Sequence, residues 1–193
     1  MKILIIAVPR SGSTTLTIAM GNSLKLTIIG EPFNEAIHKN VNYQDSVVKN
    51  NVIVKSLIDI NVPDVITFYK EYSKLFDKTI ILSRKNIKEL SESYAFQNWT
   101  NVGKLREWQS KYKYSQIGDV DKWVDWMINT KNNLEILSNE LNIEIDWYED
   151  LYCGDEEKIV TFLNKHEIAV DIPKFSDCLN PKHRLRQLNT TII

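Results

Sequence analysis

Hydroxyl-bearing and basic side chains are concentrated in one short turn near the start of the chain. Residues 7–14 read Ala-Val-Pro-Arg-Ser-Gly-Ser-Thr and follow the frame of a phosphate-binding loop, GxxxxGK[ST]. Ala7 replaces the first glycine, and Ser13 replaces the lysine that reaches the β- and γ-phosphates of a triphosphate. Backbone N–H groups and a helix N-terminus would still point at an anion. The loop therefore predicts binding of an anion at a nucleotide 5′ end, but not of ATP with Mg²⁺.

The candidate anion ligands of this loop are one cation and a set of small residues. The cation is Arg10, and the small residues are Ser11, Gly12, Ser13, Thr14 and Thr15. An ordinary strand-to-helix turn, with a serine capping the helix, is the alternative interpretation.

An arginine and two serines follow an apolar run in the middle of the chain. Arg84 comes directly after residues 80–83, Ile-Ile-Leu-Ser, and two serines, Ser93 and the competing choice Ser91, lie nine and seven residues beyond it. A guanidinium offers a planar pair of donors, and a nearby hydroxyl adds a further contact, which suits a phosphate. A helix cap or a surface ion pair is the alternative role for Arg84.

Together the two motifs resemble those of the sulfotransferases that use 3′-phosphoadenosine-5′-phosphosulfate (PAPS). Residues 9–14, Pro-Arg-Ser-Gly-Ser-Thr, resemble the family's 5′-phosphosulfate loop, and Arg84 with Ser93 resembles its 3′-phosphate site. A third segment, Tyr-Glu-Asp-Leu at residues 148–151, is similar to a strand end whose role in the family is mostly structural. The resemblance implies a P-loop-like fold, PAPS as the sulfuryl donor, PAP as the product and no metal.

The acceptor hydroxyl needs a base, and the resemblance offers two places for it. Residues 54–57, Val-Lys-Ser-Leu, are similar to the Lys-Thr-His segment of cytosolic small-molecule sulfotransferases, but Leu57 stands in place of the histidine. Bacterial carbohydrate, heparan and protein-tyrosine sulfotransferases use a glutamate after the second strand, and Glu31 is similar in position, with Glu35 as the fallback. A carboxylate partly desolvated by the neighbouring Pro32 and Phe33 would have a raised pKa and could accept a hydroxyl proton.

The implied reaction is direct in-line transfer without a covalent enzyme intermediate. Arg10, the loop N–H groups and Lys55 would stabilise charge on the bridging oxygen, while Glu31 takes the proton of the acceptor. An exposed turn residue is the alternative for Glu31, and an exposed strand-end lysine is the alternative for Lys55.

Hydrophobic periodicity predicts the elements that would hold these residues. The predicted strands are 3–8, 26–29, 52–54, 79–82 and 143–145, and the predicted helices are 14–24, 65–76, 87–97, 120–141 and 156–163. Their alternation predicts a three-layer α/β domain with a parallel sheet between helices. Trp123 lies on the apolar stripe of the long helix and is expected in the core.

Two segments differ from the rest of the chain in composition. The polar, aromatic stretch 98–118 is predicted to be an acceptor-side insertion or lid, in which Trp99, Trp108 and Tyr112 could stack on an acceptor; structural aromatics are the favoured interpretation. The basic tail 176–193 places Arg184 and Arg186, with Lys182, where they could contact the 3′-phosphate or the adenine. A solvated tail is the equal alternative.

Composition and charge argue against several other classes of protein. Lys and Arg number 24 against 25 Asp and Glu, which disfavours a generally basic nucleic-acid-binding protein. Two cysteines are too few for a disulfide framework, and no apolar run is long enough to span a membrane. We expect a single cytoplasmic domain, with oligomerisation left open. A nucleotide or small-molecule kinase with a degenerate P-loop and a PAP-binding module without turnover are the competing functions.

Overall fold

The computed structural model describes residues 1–33, 50–60, 62–99 and 120–179. Its strands are β1 Lys2–Ala7, β2 Thr27–Gly30, β3 Val52–Leu57, β4 Lys78–Ser83 and β5 Ile145–Trp147. The helices in these ranges are α1 Ser13–Leu24, α2 Val65–Ser73, α3 Ile87–Trp99, α4 Asp121–Leu141, α5 Tyr148–Leu151, α6 Glu156–Lys165 and α7 Ile172–Leu179.

The five strands form one sheet in the order β2-β3-β1-β4-β5, and every neighbouring pair is parallel. The carboxyl ends of parallel strands meet at one edge, where α/β sheets bind their ligands. The turns that follow β1, β2, β3 and β4 therefore lie along the same edge. This arrangement confirms the predicted parallel α/β sheet and brings the sequence motifs to one side of it.

Helices cover both faces of the sheet because the central strand is apolar on both sides. Ile3 and Ile5 face a cluster that includes side chains from α1, α6 and α7, whereas Leu4 and Ile6 face a cluster with α2, α3 and α4. All four side chains are fully buried. The continuous apolar run of β1 is thus explained by burial on two faces, and the three-layer architecture is confirmed.

Three details differ from the expectations. The last strand begins at Ile145, two residues later than predicted. Asn142, in a left-handed conformation, ends α4, and the Ile143 N–H donates to the Ser138 carbonyl, so residue 143 is not available to the sheet. The segment 148–151 is a helical turn rather than a strand end. Trp123 is half-buried rather than in the core, and its ring packs on Trp126.

Helix α7 has no counterpart in the predicted elements. Its Phe175 and Leu179 are buried in the cluster that α1 also joins. The predicted tail 176–193 therefore starts inside a helix, since residues 176–179 form its last turn. Within the described ranges, no helix is both long enough and apolar enough to cross a bilayer.

Several expectations fall outside the described residues. They concern residues 100–118 of the predicted insertion and 180–193 of the tail, and the side chains of Glu35, Trp99, Trp108, Tyr112, Lys182, Arg184 and Arg186.

Candidate functional site

The loop between β1 and α1 has an unusual backbone that its own side chains stabilise. Arg10 and Gly12 have φ angles of 66° and 81°, in the left-handed region. The hydroxyl of Ser11 is fully buried and donates to the Val8 carbonyl at 2.8 Å. Ser11 was expected among the anion ligands, and its side chain instead supports the turn. Its backbone N–H remains part of the loop.

Gly12 lies against two tyrosines that follow the last strand. The hydroxyl of Tyr152 donates to the Gly12 carbonyl at 2.6 Å. A Cβ at position 12 would lie 2.8 Å from ring carbons of both Tyr148 and Tyr152. Gly12 is therefore required by its φ angle and by the rings beside it. Tyr152 was missed by the sequence argument, and its spacing of four from Tyr148 is the signal that could have identified it.

Lys55 connects the loop to the turn after β2. Its side chain is 7% exposed, and its ammonium lies 3.2 Å from the hydroxyl of Thr14 and in direct contact with the Glu31 carboxylate. The parallel register, with Gly30 opposite Lys55, brings Glu31 alongside, and Glu31 N–H donates to the Lys55 carbonyl at 2.7 Å. The three predicted polar residues thus form one contiguous group at the carboxyl edge.

The contact of Glu31 with Lys55 was not part of the sequence-based expectation, which considered only the neighbouring Pro32 and Phe33.

Asp59 is an acidic residue of this group that the sequence argument missed. It is exposed, follows β3 by two positions and interacts electrostatically with Glu31 and Lys55. Desolvation by burial raises the pKa of Asp59, the charge of Glu31 raises it further, and a backbone hydrogen bond and the charge of Lys55 lower it. The signal in the sequence was an acidic residue just beyond a buried strand.

The two predicted anion-binding motifs meet through a side-chain hydrogen bond. Arg10 Nε donates to Ser93 Oγ at 3.0 Å, although Arg10 lies in the loop after β1 and Ser93 lies within α3. The hydroxyl of Ser91 instead donates to the Ile87 carbonyl within α3 at 2.9 Å. Of the two serines left open by the sequence, Ser93 is the one that contacts the loop.

Arg84 lies at the end of β4 with its guanidinium over an aromatic ring. The guanidinium carbon is 4.5 Å from the ring centre of Tyr148, and one terminal nitrogen pairs with the Glu89 carboxylate. Its Nε is buried without a hydrogen-bond partner among the described residues, since Glu149 is 3.9 Å away. The adjacent Ser83 hydroxyl is buried in the same way. A buried donor without a partner is costly, so this position favours an incoming acceptor.

The carboxylate of Glu149 binds the backbone at the start of α3. It accepts hydrogen bonds from the backbone N–H groups of Lys85 at 2.9 Å and Asn86 at 3.1 Å, at the start of α3. Asp150 pairs with the ammonium groups of Lys85 and Lys158, and the hydrogen bond from Lys85 is the main reason that its pKa is lowered. Neither carboxylate contacts the loop through these bonds.

The remaining residues of the described ranges add no metal-binding cluster. No group of three His, Cys, Asp or Glu side chains lies close enough there to hold an ion. The buried pair of His166 and Asp146, joined at 2.7 Å, lies at β5 and the end of α6.

Comparison with known proteins gives a likeness of fold. No protein-family model and no curated protein sequence matches the chain. Among solved structures it is similar to the sulfotransferase domain from the curacin biosynthetic pathway, with a TM-score of 0.55 and 15% identity over 90% of this chain and 75% of that one. It is also similar to the YorR protein of Bacillus subtilis in complex with phosphorylated GDP, with a TM-score of 0.46 and 12% identity over 86% of this chain and 97% of that one. The chain has a P-loop-like α/β fold.

Proposed function

We propose that this chain is a PAPS-dependent sulfotransferase that acts on a hydroxyl acceptor. The observation that carries the proposal is the hydrogen bond of 3.0 Å between Arg10 and Ser93, which joins the 5′-anion loop to the second anion-binding motif. A nucleotide with anionic groups on both sides of its ribose needs two such motifs close together. A nucleoside triphosphate needs only the first.

The donor groups of the described residues fit PAPS. Gly12, which precedes α1, caps the helix with no side-chain hydrogen bond, so the first N–H groups of α1 can serve an anion. Among the described residues, Arg84 Nε is a buried donor without a hydrogen-bond partner, and a guanidinium suits phosphate. These groups would hold the 5′-phosphosulfate and the 3′-phosphate respectively. PAPS would supply an activated sulfuryl group at the loop.

The chemistry of the chain's own residues follows from their contacts. Glu31 takes the proton of the acceptor hydroxyl as the new S–O bond forms, and the bond from sulfur to the bridging oxygen breaks with its electrons leaving on PAP. Lys55 contacts both Glu31 and Thr14, so its ammonium is placed between the base and the loop. With Arg10 it would stabilise the charge that develops on the bridging oxygen.

The same contact of Lys55 weighs against a kinase with a degenerate P-loop. In a P-loop that binds ATP with Mg²⁺, the serine or threonine hydroxyl at the position of Thr14 ligates the metal. Here an ammonium lies 3.2 Å from that hydroxyl, and a divalent cation at the same place would be repelled. The arrangement supports a donor whose transfer needs no metal at Thr14.

Calorimetric titration with PAP, ADP and ATP·Mg²⁺ tests the proposal. We expect PAP to bind more tightly than ADP, because only PAP carries the 3′-phosphate that Arg84 would contact. Equal or tighter binding of ATP·Mg²⁺ would contradict the proposal and favour a kinase. Tight binding of PAP then justifies an acceptor screen with labelled PAPS, and binding without transfer to any acceptor would favour a module without turnover.

A further inference from the structure

Two tyrosines contact both halves of the candidate site. Tyr148 and Tyr152 stack with their ring centres 4.5 Å apart and their planes inclined by 22°. The Tyr152 hydroxyl donates to the Gly12 carbonyl at 2.6 Å, and the Tyr148 ring lies 4.5 Å from the guanidinium carbon of Arg84. We call this stacked pair the tyrosine bridge. It runs from the 5′-anion loop to the arginine of the second motif.

The tyrosine bridge restricts how far Gly12 and Arg84 can move relative to each other. Tyr152 is 8% exposed, and both rings already touch the position where a Cβ of Gly12 would stand. An aromatic ring has only two side-chain torsions and cannot shorten or lengthen as a lysine or glutamate can. The distance between Gly12 and Arg84 is therefore set by two rigid rings rather than by flexible chains.

The backbone of the bridge is also anchored. Glu149, between the two tyrosines in the chain, binds the N–H groups of Lys85 and Asn86, which directly follow Arg84. The helical turn α5 is thus fixed to the backbone beside Arg84 as well as to the arginine side chain. Movement of the backbone that follows Arg84 relative to α5 would have to break these hydrogen bonds together.

We propose that the tyrosine bridge positions Arg84 relative to the loop and so makes the site selective for nucleotides that carry anionic groups at both the 3′ and the 5′ position. The inference rests on the proposed function and adds Tyr148 and Tyr152 to it as positioning residues. Tyr148 orients the guanidinium plane through a cation–π contact. Tyr152 fixes the loop through its hydroxyl.

The ratio of the Kd for 5′-AMP to the Kd for PAP reports this selectivity. In Tyr148→Leu we expect the ratio to fall by about three- to tenfold, because the cation–π contact that orients Arg84 is lost. The Kd for 5′-AMP should change little. Tyr148→Phe is the matched control, since it keeps the ring and should keep the ratio. Equal weakening of both ligands in Tyr148→Leu would overturn the proposal, because a general loss of structure acts on both.

Tyr152→Phe tests the other end of the bridge. It keeps the stack but removes the donor to Gly12, so PAP and 5′-AMP should both bind more weakly, by about three- to tenfold, at an unchanged ratio. A changed ratio with intact 5′-AMP binding would overturn the assignment of Tyr152 to the loop.

A second variant and the wild-type protein provide two further tests of the tyrosine bridge. If circular dichroism shows that Tyr148→Leu does not fold, Tyr152→Leu replaces it, since it removes the ring that supports Tyr148, and the ratio should again fall. An unchanged ratio in that variant would overturn the bridge. A wild-type protein that does not prefer PAP to 5′-AMP would contradict the proposed function itself, whereas a preference that survives in the folded leucine variant contradicts only the inference.

Discussion

The side chains of Glu31 and Lys55 form an ion pair in which the lysine is nearly buried and the glutamate keeps 21% of its surface exposed. The pair is therefore asymmetric: the lysine is enclosed by the protein and also contacts the hydroxyl of Thr14, while the glutamate side chain is partly accessible to solvent. A solvent-accessible carboxylate can reach an acceptor, and a buried ammonium beside the loop can act on the donor. This division of roles is the basis of the first prediction.

Glu31→Gln should abolish most transfer while leaving nucleotide binding nearly intact. The amide cannot accept the hydroxyl proton, and loss of a general base typically costs about 10²- to 10⁴-fold in rate. The Kd for PAP should stay close to the wild-type value, since Glu31 is not among the groups assigned to the phosphates. Transfer from labelled PAPS, once an acceptor is known, and calorimetry with PAP provide the two readouts. Unchanged turnover would place the base on another residue.

Arg84→Ala should weaken PAP binding by about 1.5–3 kcal/mol, the value of a hydrogen bond to a charged group. ADP lacks the 3′-phosphate, so its affinity should remain the same. Calorimetry with both ligands measures the difference. Lys74→Ala is a suitable control, because Lys74 is exposed, pairs only with Glu71 in α2 among the described contacts and lies away from the carboxyl edge. Equal losses for PAP and ADP would remove Arg84 from the 3′-phosphate site.

Much of the fold could be predicted because its signals are local. The apolar run of β1 is long and uninterrupted, and burial on both faces is the arrangement that accounts for it. Helix α7 was missed because it is only eight residues long, although Phe175 and Leu179 have the spacing of four that a helix face requires, and their burial comes from packing in the same cluster as α1. The start of β5 was misplaced because Asn142 takes a left-handed conformation that only the tertiary structure reveals.

The residues of the site could be predicted better than their partners. Spacing within a motif identifies Arg10 and Arg84, which follow buried strands, and Lys55, which lies within β3, as candidates. It does not reveal the contact between Arg10 and Ser93, which depends on the strand order. Tyr152 and Asp59 were missed for the same reason: the first acts through a contact with Gly12, and the second through the charges brought beside it by the sheet.

Asp59 should make the stability of the protein depend on pH in an identifiable direction. Asp59 is exposed on the turn after β3, and local desolvation is the main reason that the pKa of its carboxyl is raised in the folded state, so the folded protein holds the proton more tightly than the unfolded chain by a small margin. The free energy of unfolding therefore falls as pH rises from 3.8, the ordinary value, through the folded pKa. Asp59→Asn should remove this fall and be more stable than the wild type above that interval. Urea unfolding at a series of pH values measures the effect, and parallel curves for the two proteins would show that Asp59 does not contribute.

Ser93→Ala and Ser91→Ala separate the two serines that the spacing leaves open. The Ser93 hydroxyl accepts from Arg10 and can still donate its own proton to a phosphate, so loss of that hydrogen bond to a charged group should weaken PAP binding by about 1.5–3 kcal/mol. Among the described contacts Ser91 donates to the carbonyl of Ile87 within α3, and its loss should leave the affinity unchanged. Calorimetry with PAP on the two variants is the measurement. The reverse order of the two effects would assign the contact to Ser91.

Gly12→Ala should destabilise the protein more than Gly154→Ala, although the two glycines have φ angles of 81° and 80°. Both substitutions carry the cost of a left-handed residue with a side chain, about 1–2 kcal/mol. Only at Gly12 would the new Cβ also lie 2.8 Å from ring carbons of Tyr148 and Tyr152, whereas Gly154 faces open space. Overpacking of this kind adds about 1–3 kcal/mol. Thermal unfolding of the two variants isolates this second cost, because the backbone cost is shared. An equal loss of stability in both would mean that the tyrosine rings yield to the added methyl group, and the tight contact between the loop and the bridge would then not hold.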